Sequence, residues 1–166
     1  MTWTERSIAS ALARQTFASR CILLVDNCQW TGHECDILGV SKCLRIIDIE
    51  VKISRADLKA DRDKNKWWQQ RWRNQGPTLE WPERVWKHYY AMPADIWKPD
   101  LVAELPSKAS GVLLLSDYDE GGVVVKCERR AKPRRDAYRL TAADVVDIAR
   151  LANLRMWDAY KLIEKR

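Results

Sequence analysis

The sequence predicts an α/β fold: a mixed central β-sheet flanked by helices. Three observations lead there. Three apolar, β-branched runs occur early in the chain, "CILLVDNC" (21–28), "ECDILGVS" (34–41) and "CLRIIDIEVKIS" (43–54). Their connections are too short for a crossover helix and favour an antiparallel meander. Helical patterns then flank the meander, and three more strand-like runs and a final amphipathic pattern follow. That order is not a strict βαβ repeat.

The elements follow in chain order. Thr2-Trp-Thr-Glu5 has capping-box spacing, and Ile8 and Leu12 fall four apart, predicting a helix over about 3–18. Gln29-Trp-Thr-Gly-His33 reads as a turn between the first two strands. Ser54-Arg-Ala-Asp57 can cap a second helix running to about Asn74, with Gly76-Pro77 ending it. The aromatic run "RVWKHYYAMP" (84–93) suits a strand, and Pro93, Pro99 and Pro106 predict irregular chain after it. "GVLLLSD" (111–117), a turn at Asp119-Glu-Gly-Gly122 and "VVVKC" (123–127) make a hairpin. Thr141-Ala-Ala-Asp144 caps a last helix to about Lys165. Its apolar face holds Val145, Ile148, Ala152, Met156, Ala159 and Ile163.

A length of 166 residues predicts a single domain over 1–166, and 46% hydrophobic with 31% charged residues is a globular composition. The formal net charge of +6 favours acidic partners such as nucleic acid. Cys21, Cys28, Cys35, Cys43 and Cys127 are odd in number and form no Cys-x-x-Cys pair. They read as small buried hydrophobes in a reducing, cytoplasmic setting. A zinc site using Cys28, His33 and Cys35 lacks knuckle spacing and a fourth ligand. No run is long and apolar enough to span a membrane. The first twenty residues lack the apolar core of a secretory signal. Their Arg- and Ser-containing pattern formally admits a transit peptide, but Glu5 and the immediate junction to a strand favour an ordinary first helix.

The chemistry concentrates in "RIIDIEVKIS" (45–54). Asp48, Glu50 and Lys52 recur at every second position, so a strand presents them on one face, with Ile47, Ile49, Val51 and Ile53 on the other. In a meander the preceding strand lies alongside, and its Asp36 shares a face with Leu38 and Val40. A carboxylate among apolar residues is costly without partners. Asp36 and Glu50 together offer two oxygen donors whose mutual repulsion a divalent cation relieves, and magnesium is a hard ion that keeps its waters. Such a water can attack a phosphate. Lys52, one pleat beyond Glu50, can orient or deprotonate that water or stabilise developing charge. The bland alternative is the solvated side of a half-exposed strand. Asp48 is expected to be structural, pairing with Lys42 or Arg45. His33 and His88 have no recognisable partner in the sequence.

This Asp…Glu-x-Lys arrangement resembles the PD-(D/E)xK nuclease superfamily, the restriction-endonuclease-like fold, on Asp36 and "EVK" (50–52). The resemblance implies an αβββαβ core with an extra C-terminal strand and helix. It implies that Asp36, Glu50 and the Val51 carbonyl hold Mg2+ or Mn2+ and that Lys52 is catalytic. Glu5 matches the position where some members carry a further acidic residue. Cys35 stands where the motif has Pro. Within the superfamily, "EVKISRADLKADRDKNKW" (50–67), "HYYAMP" (88–93) and "GVLLLSD" (111–117) look like the bacterial MmcB-type DNA repair family. Asp57, Asp61, Lys66 and Trp67 match that family's helix after the Glu-x-Lys strand, with Asp57 near enough to the site to take part. A Trp/Arg-rich segment at about 68–83 reads as an insertion.

Two surfaces suit a nucleic acid. Six of the nine tryptophans fall in residues 67–97, and Trp72 sits between Arg71 and Arg73; aromatics mixed with cations can stack bases and hold phosphates. Arg129, Arg130, Lys132, Arg134 and Arg135 form a basic loop that would grip a backbone if it lay beside the site. The expected function is therefore a magnesium- or manganese-dependent nuclease acting on DNA, in repair or in phage or mobile-element processing. A weakly active or inactive binding module and an RNA-directed nuclease are the alternatives. Protein partners and a homodimer stay open.

Overall fold

The computed structural model describes residues 2–69, 76–118 and 122–164. Helix α1 spans Glu5–Leu12 and continues as a π turn over Ala13–Phe17. Strands β1 (Cys21–Cys28), β2 (Cys35–Ser41) and β3 (Ile46–Val51) form the expected antiparallel meander. Helix α2 (Arg55–Ala60) follows, then a short ribbon of β4 (Trp68–Gln69) and β5 (Thr78–Leu79). Strands β6 (Val85–Pro93), β7 (Gly111–Tyr118) and β8 (Gly122–Arg129) and helix α3 (Ala142–Glu164) complete the order. The main sheet runs β1-β2-β3-β6-β7-β8, parallel at β3–β6 and β6–β7 and antiparallel elsewhere. This is the mixed α/β sheet flanked by helices that the sequence predicts, with an αβββαβ order followed by two strands and a helix.

Both faces of β3 are covered. Ile47, Ile49 and Val51 pack beneath α1 with Ile8, Leu12 and Phe17. On the opposite face, α3 covers Val25, Leu38, Val40 and Ile46 through Ile148. Helix α2 and the chain after it cover Tyr90, Met92 and Val112 through Leu58 and Trp67. Asp48, Glu50 and Lys52 lie on that second face and are buried.

Local expectations need correction in three places. Thr4 rather than Thr2 caps α1: its hydroxyl accepts the Ser7 N–H at 3.1 Å, and the Ser7 hydroxyl accepts the Thr4 N–H at 3.0 Å. The second helix stops at Ala60, far short of Asn74. Ser54 does cap it, through the Asp57 N–H at 3.1 Å, but two tight turns, Asp61–Asp63 and Asn65–Trp67, then fold the chain back onto the sheet. The buried contacts of Asp61 and Trp67 outweigh helical periodicity there. The last helix is capped by Thr141, whose hydroxyl accepts the Asp144 N–H at 3.2 Å. Its apolar face is buried at Ile148, whereas Met156 and Ile163 are exposed beside Trp157, Tyr160 and Leu162. The turn at 119–121 and the final Lys165 lie outside the described residues. No helix among the described residues is long and apolar enough to cross a membrane.

Candidate active site

The register of β2 on β3 pairs Ile37 with Ile49 and Leu38 with Asp48, which carries Asp36 alongside Glu50 at the end of the pair. The Asp36 carboxylate seats itself there by accepting the Val51 N–H at 2.7 Å. In extended chain a residue's N–H and C=O project to the same side. The Val51 carbonyl is therefore directed toward Asp36, while the Lys52 N–H bonds the other way, to Ala91 O at 2.9 Å. Burial, then the nearby Glu50, pushes the Asp36 carboxyl up to about 6 against the opposing pull of the Val51 N–H, Lys52 and Lys64. A cleft of about 350 Å³ opens here, lined by Glu5, Asp26, Asp36, Val51 and the α3 residues Arg155 and Asp158. The structure thus brings Glu5, Asp36 and Val51 together at one mouth.

Glu50 and Lys52 lie behind that mouth in a buried ionic network. Lys52 Nζ donates to Asp61 Oδ1 at 2.8 Å and lies 3.4 Å from Glu50 and 3.7 Å from Asp57. Glu50 Oε1 accepts from Lys66 at 2.6 Å and Glu50 Oε2 from Lys64 at 2.8 Å. Asp61 also takes Lys64 at 3.0 Å, the Tyr90 hydroxyl at 2.6 Å and the Trp67 indole N–H at 3.0 Å. Burial opposes ionisation of Asp61, but Lys66, Lys52 and these donors hold its carboxyl well below the usual range. Asp57 thus does border the site, through Lys52.

Several sequence expectations fail against this geometry. Asp48 is no bystander paired with Lys42 or Arg45. It is fully buried, with Lys66 Nζ at 3.8 Å, His33 Nε2 at 3.5 Å and His88 Nε2 at 3.9 Å. The same contacts supply the partner that the sequence does not show for either histidine. Trp67, by contrast, packs into the core, as is expected of any single tryptophan of that segment. Asp61, Lys66 and Trp67 do reach the site, but from tight turns rather than from a helix face.

The basic loop lies elsewhere. Arg134 N bonds Trp86 O and Leu140 N bonds Leu44 O, which fastens the loop across the starts of β6 and β3. Glu50 sits at the other end of β3, roughly 16 Å along a strand. Two of its cations serve the chain's own carbonyls: Arg129 bonds Ser110 O and Lys108 O, and Arg134 bonds Trp81 O. Arg130, Lys132 and Arg135 are exposed. The predicted contacts Arg71, Trp72 and Arg73 fall outside the described residues.

Sequence reasoning missed Lys64 as a partner of Glu50, and Asp26, Arg155 and Asp158 as cleft residues. One signal for the lysines was present. Charges alternating within a strand flanked by apolar runs on both sides require buried counter-charges, and "DRDKNKW" (61–67) is the nearest segment able to supply them. Nothing local in the α3 sequence announces its approach to the cleft.

No protein-family profile and no curated protein matches the chain. Among solved structures, the chain is similar to the SPO1766 protein of unknown function from Silicibacter pomeroyi, with a TM-score of 0.61 and 20% sequence identity. The superposition covers 99% of this chain and 94% of that one. At this identity the likeness shows the fold alone.

Proposed function

We propose that this chain is a metal-dependent nuclease of the PD-(D/E)xK type that hydrolyses phosphodiester bonds in DNA. The observation that carries the reading is the Asp36 carboxylate, seated on the Val51 N–H at 2.7 Å beside the buried Glu50 and Lys52. The donor set fits a hard divalent cation. Asp36, Glu50 and the Val51 carbonyl supply oxygens, and burial, with the neighbouring Glu50 second, raises the Asp36 carboxyl, a cost that a bound cation would offset. Magnesium or manganese bound there would supply charge neutralisation at the phosphate and a water of lowered pKa. Lys52 acts as a hydrogen-bond donor, held in place by Asp61, and serves to orient the nucleophile and stabilise developing charge. Glu5 adds a carboxylate at the mouth. Arg6 and Arg155, which line the same cleft, are better placed for phosphate than the basic loop. Five free cysteines accord with a reducing, cytoplasmic setting.

One observation favours the second reading, a nuclease fold used for binding with little or no hydrolysis. Both Glu50 oxygens are engaged by lysines, so Lys64, which is half exposed, must swing aside to free one. Cleavage of labelled duplex and single-stranded DNA, with RNA of equal length in parallel, separates the readings. The expected result is cutting with magnesium or manganese, silenced by EDTA and by Glu50→Ala. Salt-sensitive binding with no cutting by either metal supports the binding module. Preferential cutting of RNA transfers the reading to the RNA-directed alternative. Wild-type rates in Glu50→Ala overturn the assignment of the site.

A further inference from the structure

A second group of ligating side chains lies on the same sheet face, away from Asp36. His33 ends the turn between β1 and β2, Cys35 opens β2, and Asp48 sits within β3. Their ligand atoms all lie within 4.8 Å of one another. The register of β6 on β3 sets His88 opposite Asp48. His88 Nε2 lies 3.9 Å and His33 Nε2 3.5 Å from the same oxygen, Asp48 Oδ2. Four ligands bound tetrahedrally to one zinc ion stand about 3.3–3.8 Å apart, from ordinary zinc–ligand bond lengths. The 3.5 and 3.9 Å separations at Asp48 Oδ2 are close to that, while Cys35, within 4.8 Å of the others, draws in and His88 joins the group on binding.

The polar atoms involved meet one another but make no hydrogen bond. His33 Nε2, both Asp48 carboxylate oxygens and His88 Nε2 are buried without a hydrogen-bond partner, and Asp48 and His88 are 0% exposed. Lys66 approaches Asp48 no nearer than 3.8 Å, its hydrogen bond going to Glu50. Buried polar atoms in native proteins are satisfied, so two unbonded imidazole nitrogens facing the same unbonded carboxylate call for an occupant. The outer contacts suit ligands held in place: His88 Nδ1 pairs with the Ser110 hydroxyl at 3.0 Å, and the Thr31 hydroxyl lies 3.5 Å from Cys35 Sγ. A cleft of about 350 Å³, lined by Trp30, Thr31, His33, Lys66 and Arg84 among others, gives access from solvent.

We propose that His33, Cys35, Asp48 and His88 form a tetrahedral site for a borderline-soft transition metal, zinc foremost. Two imidazoles, a thiolate and a carboxylate are the donors zinc prefers, in contrast to the all-oxygen set at Asp36 and Glu50. The thiolate and carboxylate balance the ion's two charges, and the Cys35 proton leaves to solvent on binding. Four protein ligands leave no open position. The site therefore acts as a clamp that ties the turn before β2 to β2, β3 and β6. It stands apart from the nuclease reading and holds whether or not the chain cuts nucleic acid.

The test is titration of the chelator-stripped chain with cobalt(II), followed by zinc. The expected result is that the intense visible bands of tetrahedral cobalt and a thiolate-to-cobalt charge-transfer band saturate at one equivalent, both being erased by zinc. Cys35→Ser should delete the charge-transfer band. His33→Ala, in a partly exposed turn, should weaken binding on the order of 100-fold or more, beyond the loss seen when outer-shell partners are removed. Cys28→Ser and Asp36→Asn should keep the full spectrum, which separates this site from the one at Asp36. A wild-type chain without the charge-transfer band overturns the proposal. So does a spectrum unchanged by His33→Ala, a result that decides the matter even if Cys35→Ser does not fold.

Discussion

Asp36→Asn should lose metal-dependent cleavage by on the order of 10²–10³-fold and yet melt at a higher temperature than the wild type in EDTA. The two effects share one cause. Burial and the neighbouring Glu50 raise the Asp36 carboxyl to about 6, so ionising it costs more in the folded chain than in the unfolded one. That cost is absent below about pH 4, where both states are protonated, and complete above about 6. Asparagine removes the charge and keeps an oxygen to accept the Val51 N–H. The gain, on the order of a few degrees, should therefore vanish when the melts are repeated near pH 4. A variant that melts below wild type at pH 7, or that cleaves at the wild-type rate, contradicts the assignment of Asp36 as a ligand carboxylate.

Asp61→Ala is expected to destabilise the chain by about 3–5 kcal/mol, the usual result of breaking a buried ion pair from one side. Lys52, with its side chain 2% exposed, loses its closest partner, and the Tyr90 hydroxyl and Trp67 indole lose their acceptor. For a domain of this size the thermal midpoint should fall by roughly 6–20 °C. The pH dependence runs opposite to that of Asp36. The Asp61 carboxyl is held below its ordinary range, so its stabilisation is present above about pH 4 and drains away as pH falls toward the folded-state value. Urea denaturation at pH 7 and pH 3 checks both points. A difference under about 1 kcal/mol at pH 7 would count against a structural role for this network.

Strands and their order were legible because β-branched runs and short connections leave few topologies open. The Asp36, Glu50 and Lys52 constellation was legible for the same reason: side-chain alternation in a meander determines which charges share a face. Asp48 was misread because a strand's own sequence does not say whether its polar face meets water. Here α3 and the chain after α2 cover that face, and both come from elsewhere in the sequence. The second helix was overextended because residues 61–67 keep helical spacing, while their burial and ionic pairing favour tight turns. His33 and His88, apparently without partners, converge on Asp48 through a turn and a parallel register, neither of which a linear pattern displays.

Lys64 carries a consequence of its own. It is the exposed member of the Glu50 network, with 46% of its side chain in water, yet it bonds both Glu50 and Asp61. On the nuclease reading, loading the site is an ion exchange. One ammonium leaves as a doubly charged cation arrives, so the buried cluster gains one unit of charge rather than two. The displaced amine is released to solvent, where it can bind a phosphate. Charging the site and arming its grip on the substrate would then be a single event.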